Sequence, residues 1–139
     1  MKVLGLDYGD ARTGLSVSDA TGLLAGSPQV IAEWNRDKLV EKLVRFIRDN
    51  GIEEIVLGYP RNMDGSVGPR AQKCEELKAE LEHETGVPVL LWDERRTTVA
   101  AHAILHETGK KQKKHKQTVD AVAATLILQG YLDSRRLRG

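Results

Sequence analysis

Three short apolar runs do most to limit what this chain can fold into. KVLGLD at 2–7, EEIVLGYP at 53–60 and VPVLLWDE at 87–94 each last a few residues and then stop at an acid, a glycine or a proline. Runs of that length read as buried strands entering turns. Amphipathic segments alternate with them. Leu39, Val40, Leu43, Val44 and Ile47 recur at helical spacing, with Asn35 placed to cap the helix start and Gly51 to end it. A charged helix from about Pro69 to Thr85, closed by Gly86, separates the second run from the third.

Two further strands are expected near the start, at Leu15 to Ser18 and from about Leu23 to Ile31, with Gly14 and Gly22 as punctuation. Toward the end, Thr97 or Thr98 can cap a short helix running to Thr108, and Gly109 stops it before a lysine-rich loop. A last helix, about Gln117 to Asp133, is expected to bury Val119, Val122, Ala123, Leu126 and Ile127. The fold class that follows is α/β: a mixed five-stranded sheet, three antiparallel strands and then two parallel ones, flanked by helices. At 139 residues, with 40% hydrophobic and 29% charged side chains, the whole chain reads as one globular domain over 1–139.

Lone Cys74 has no partner for an internal disulfide, so a reducing, cytoplasmic setting is expected. The opening apolar run is broken by Asp7 and is too brief for a signal peptide or a membrane span. The net charge of +1 is uninformative, but its distribution is not. Lys110, Lys111, Lys113, Lys114 and Lys116 crowd the stretch before the last helix, and Arg135, Arg136 and Arg138 close the chain.

In sheets of this kind, sites collect at the carboxyl ends of strands. Asp7, Asp93 and Glu94 stand where apolar runs stop, and Asp120 borders the apolar stripe of the last helix among small neighbours. An ionised carboxylate on such a border must be met by a cation or by hydrogen bonds. Hydrolysis of a phosphodiester needs charge neutralised on the attacking and leaving oxygens. Mg²⁺, which takes oxygen ligands and few carboxylates at a time, is suited to acids gathered from separate elements. Taken singly, each acid also has an ordinary role open to it, accepting turn N–H bonds at a strand end or standing solvated on a helix.

Arg12, Arg61, Arg70, Arg95 and Arg96 lie in expected loops near these strand ends, where guanidinium groups can fork onto phosphate oxygens. The lysine run supplies sequence-independent phosphate contacts or is simply a solvated loop. His102 and His106 are spaced for one helix face but lack the Glu of a zinc-hydrolase motif. Trp34, Trp92, Tyr8 and Tyr59 are expected to serve packing rather than base stacking. Cys74 has no neighbour that makes it a nucleophile.

The blocks GLDYGDARTG, LGYPRNMDGSVGPRA, DERRTT and VDAVAATLILQGYLD, in that order and spacing, resemble the YqgF/RuvX family over nearly the whole chain. The resemblance implies a ribonuclease H-like fold related to the RuvC Holliday-junction resolvases. It also implies a role in maturing the 5′ end of 16S ribosomal RNA, with junction resolution as the alternative. By motif, Asp7, Glu94 and Asp120 resemble the acidic catalytic and metal-binding set, with Asp93 a lesser candidate and Mg²⁺ or Mn²⁺ as cofactor. Arg61 and Arg96 stand where the family pattern leads one to expect an aliphatic residue. Gly58 lies on a strand where RuvC-type nucleases usually carry an acid, so the DER block must supply the second carboxylate.

The expected partners are precursor 16S rRNA or branched DNA, with ribosomal particles behind the RNA and no membrane, for a monomer or weak homodimer. Symmetric junction cutting requires two sites and therefore a dimer. Two readings of other classes compete. GLDYGDARTG also resembles the first phosphate loop of actin and sugar-kinase proteins, which close two such domains around ATP. A non-catalytic RNA-binding assembly factor would keep the fold and the basic loop and use its acids structurally.

Overall fold

The computed structural model describes residues 1–60, 68–93 and 116–138, with the backbone alone at 116–120, 136 and 138. Strands β1 (Val3–Asp7), β2 (Arg12–Ser18) and β3 (Ala25–Ala32) precede helix α1 (Arg36–Asp49). Strand β4 (Glu54–Tyr59), helix α2 (Pro69–Thr85), strand β5 (Val89–Asp93) and a last helix, α3 (Lys116–Arg138), follow. The sheet order is β3-β2-β1-β4-β5, antiparallel across the first three strands and parallel from β1 to β4 to β5. This is the mixed sheet the apolar runs imply. The expected short helix of 97–108 and the lysine-rich loop through 115 lie outside the described residues.

Local chemistry explains the element limits. Asn35 is extended, and its side chain accepts a bond from the Lys38 amide at 3.1 Å, capping α1 as the sequence suggests. Pro69 opens α2 with its φ already helical, and Gly86, at φ 72, closes it in the left-handed region. Helix α3 extends beyond its expected end at Asp133, to Arg138.

Period-two alternation divides the sheet between two cores. Leu4, Leu6, Leu15, Val17, Ile55, Leu57 and Val89 point to the face covered by α1 and α2, meeting Leu39, Leu43 and Ile47 of one helix and Leu77 and Leu81 of the other. Each such fully buried aliphatic chain stabilises the fold by roughly 1.5–3 kcal/mol. Val3, Val56 and Trp92 point the other way, to Ile127, Leu128, Tyr131 and Leu132 of α3.

The buried stripe of α3 is not the expected one. Ala121, Ala124, Ile127, Leu128, Tyr131 and Leu132 are buried, whereas Val122, Ala123 and Leu126 are only half-buried. Close approach to the sheet decides this, and it is set at Gly5, where a Cβ would lie 2.7 Å from Leu128 Cβ and 2.9 Å from the Ala124 carbonyl oxygen. Small residues must face the strand at that crossing, so Ala124 turns inward and larger Val122 turns out. The bulky end of the stripe meets the other end of the sheet. There the Tyr131 hydroxyl bonds the Glu54 carboxylate, and burial with that neighbour raises the phenol above its ordinary range.

Candidate active site at the carboxyl edge of the sheet

Because β1, β4 and β5 are parallel, their last residues Asp7, Tyr59 and Asp93 share one edge of the sheet. Antiparallel β2 begins at that edge with Arg12, and Asp7 pairs with Gly14. Asp7 has the parity of Val3 and Gly5, which puts it on the face covered by α3. Asp93 has the parity of Val89 and belongs to the opposite face, that of α1 and α2. Asp7, Asp93 and Arg12 all have interaction partners of their own.

Helix α3 runs antiparallel to β1, since Arg135 reaches Met1 while Ala124 and Leu128 meet Gly5. Two strand residues from Gly5 to Asp7 advance about 6.6 Å, and four helical residues from Ala124 back to position 120 advance about 6 Å in the same direction. The backbone at 120 therefore comes level with Asp7. The Asp120 and Lys116 side chains, Glu94, Arg61, Arg95, Arg96, Lys110, Lys111, Lys113 and Lys114 lie outside what the structure describes.

Basic groups gather on the other side of Asp7. The amino end of α2 reaches the same edge, and Arg70 in its first turn donates to the Tyr8 carbonyl oxygen. Arg70 also stands 3.8 Å from the Asp10 carboxylate, and Lys73, almost one turn later, is 3.4 Å from it. Asp10 thus holds two cations beside the strand end. About half of each basic side chain remains open to solvent, enough to meet an anion that the helix amino end also favours. Sequence reasoning does not single out Lys73 or Asp10. The one signal available is that Lys73 falls on the helix face of Arg70.

The loop from β3 to α1 completes the rim. The Glu33 amide donates to the Ala11 carbonyl oxygen at 3.0 Å, tying this loop to the β1–β2 turn. Lys42, at 2.9 Å, and the Asn35 amide hold the Glu33 carboxyl below its ordinary range. Trp34 follows and is 81% exposed, whereas Trp92 and Tyr59 are each 5% exposed. The packing role expected of the aromatic residues therefore fails at Trp34, whose indole stands largely in solvent.

Among the described residues, no group of three or more His, Cys, Asp or Glu side chains forms a metal site. Asp7 offers carboxylate oxygen at a strand end, and the bare Cα of Gly5 lets α3 bring position 120 down to it. Oxygen donors from separate elements suit Mg²⁺ or Mn²⁺ rather than zinc.

A parallel-edged sheet with an acid at its central carboxyl end and one helix pressed on that face is the arrangement of the ribonuclease H-like fold. The chain belongs to the RuvX family, whose model, described as Holliday junction resolvase, matches residues 1–134. It is 41% identical over 139 residues to a protein of Lachnospira eligens named "Putative pre-16S rRNA nuclease", covering 98% of this chain and 99% of that one. A relative of the same name from Desulfitobacterium hafniense is 45% identical over 133 residues, covering 96% and 92%. Among solved structures, Thermus thermophilus RuvC in complex with a Holliday junction substrate superimposes with a TM-score of 0.63 at 16% identity, over 97% of this chain and 96% of that one. That likeness confirms the fold.

Proposed function

We propose that this protein is a divalent-metal-dependent endonuclease that processes the 5′ end of precursor 16S rRNA. The observation that supports the proposal is the close packing of α3 on Gly5, two residues before Asp7, with Ala124 and Leu128 at the crossing. Glu94 is the third ligand. Asp93 faces α1 and α2, the side of the sheet opposite Asp7, so the proposal takes Glu94 and not Asp93 from the DER block. The names of the relatives support RNA as substrate, and the lone buried Cys74 agrees with a reducing cytoplasm.

Bound there, Mg²⁺ or Mn²⁺ supplies neutralising charge at the attacking and leaving oxygens of the phosphodiester. The chain's own groups do the rest. Arg70 and Arg12 meet phosphate oxygens on the strand side, and Asp10 restrains Arg70 so that little of its freedom is lost on binding. The lysines of 110–116 add contacts that depend on charge and not on sequence.

The test is cleavage of a labelled precursor 16S rRNA fragment beside a four-way DNA junction, with and without Mn²⁺, by wild type and Asp7→Asn. We expect metal-dependent cutting of the RNA and a loss on the order of a hundredfold or more in Asp7→Asn, since such ions supply several kcal/mol. Cutting of the junction alone would assign the protein to junction resolution, the activity in the family model's description. RNA binding without cutting, indifferent to Asp7→Asn, would leave a non-catalytic assembly factor.

A further inference from the structure

A pocket opens beside Asp7, on the other side of the sheet edge. It has a volume of about 350 Å³ and is lined by Tyr8, Asp10, Trp34, Arg36 and Lys73, among others. Tyr8 is the neighbour of Asp7, and alternation points it to the α1 side, so the pocket begins one residue from the proposed centre. Most of its charges are paired within the protein, while Nε and Nη2 of Arg36 are buried with no hydrogen-bond partner among the described residues. Asp10 is held by Lys73 and Arg70, Glu33 by Lys42, and Arg36 by Glu80 at 3.0 Å. The pocket leaves half of Lys73 open toward the strand's phosphate and holds unmet Arg36 donors, which call for a hydrogen-bond acceptor. It suits a flat, partly polar group that carries such an acceptor.

Trp34 is the other half of the observation. Among the described residues, no other aromatic side chain is exposed to this degree, and at 81% exposure Trp34 gives up nearly all the burial an indole normally finds. Its loop is tied to the β1–β2 turn by the Glu33 to Ala11 bond, and Asn35 is fixed as the cap of α1, so the indole stands on an anchored backbone. A π-face held ready beside this pocket, next to a phosphate-binding edge, matches the way unpaired bases are gripped without sequence preference.

We infer that Trp34 and the pocket beside Tyr8 form a subsite for one unpaired nucleobase of the strand whose backbone crosses the carboxyl edge. The base stacks on the indole and leaves its polar edge toward the pocket. The inference rests on the nucleic-acid reading above and adds to it a demand for a single-stranded nucleotide next to the cut.

The test measures binding without divalent metal, so that no strand is cut. An unstructured oligoribonucleotide is compared with an abasic ribose-phosphate strand of the same length and charge. Trp92 is buried, so the emission change lost in Trp34→Phe reports the exposed indole. The oligoribonucleotide should quench that emission, and the abasic strand should bind roughly five- to a hundredfold more weakly. Trp34→Ala should bind both strands equally, at the level of the abasic strand on wild type, and Trp34→Phe should keep most of the preference.

Equal affinity of wild type for the two strands, unaltered binding by Trp34→Ala, or no binding of either strand would overturn the inference. So would an emission shift that follows protein concentration and not strand, which would assign the surface to a second copy of the chain. A protein that cuts RNA without base preference loses only this subsite. One that shows the preference without cutting keeps the subsite and loses the nuclease reading.

Discussion

Two buried hydroxyls toward opposite ends of β2 make opposite demands. Ser18 Oγ accepts the Val3 amide at 2.9 Å, in place of a partner on the strand ladder. Thr13 Oγ1 is buried and finds no hydrogen-bond partner among the described residues. Ser18→Ala should therefore cost about 1–3 kcal/mol in urea unfolding, because it strands a buried N–H. Thr13→Val keeps the shape and removes an unmet hydroxyl, so it should be neutral or stabilising in the same measurement. Neither difference is legible in the sequence, where both are small polar residues on an apolar strand. Asp7 is legible because a strand run stops on it. Trp34 is not, because an aromatic residue in a loop carries no periodicity that says which way it turns.

Elements are legible where their signals are local. The Asn35 cap, the Pro69 start and the Gly86 stop all lie within a turn of the boundary they set, and the structure places them as expected. Asn35→Ala should lower stability by about 1 kcal/mol in thermal unfolding. The inward stripe of α3 escapes sequence reasoning because it depends on a residue far away in the chain, Gly5, whose missing side chain selects which alanine turns in. A bond between neighbouring elements contributes to the acid sensitivity of the fold. The Glu82 carboxylate accepts the Val89 amide at 3.0 Å and the Lys78 ammonium at 3.0 Å, linking α2 to β5. These bonds, that to Val89 first, lower its pKa. A lowered carboxyl pKa contributes stability that is present above the unfolded value and lost as pH falls through the folded one. Glu82→Gln should thus lower stability at neutral pH and flatten its decline below about pH 4.5 in pH-resolved melts.

For the whole molecule, the sheet order follows from strand length and connection. A meander gives β1 to β3, and helical crossovers give the parallel strands, so little beyond the apolar pattern is needed. The site is only partly legible for the same reason. Strand ends can be located from sequence, but which face each acid takes requires the parity that separates Asp7 from Asp93. RNA binding should weaken steeply with salt. Replacing Lys110, Lys111, Lys113, Lys114 and Lys116 by Gln should reduce the slope of log affinity against log salt by about 0.7 for each phosphate no longer neutralised. Gly5 carries a final consequence. It acts as a gauge block between β1 and α3, fixing how far apart the two layers stand at the level where Asp7 and position 120 meet. Under the proposed metal reading, the width of that gap bears on cation affinity together with the acids themselves. Gly5→Ala should yield a chain that retains its helical circular dichroism and all three carboxylates, yet needs a higher Mn²⁺ concentration for half-maximal cleavage.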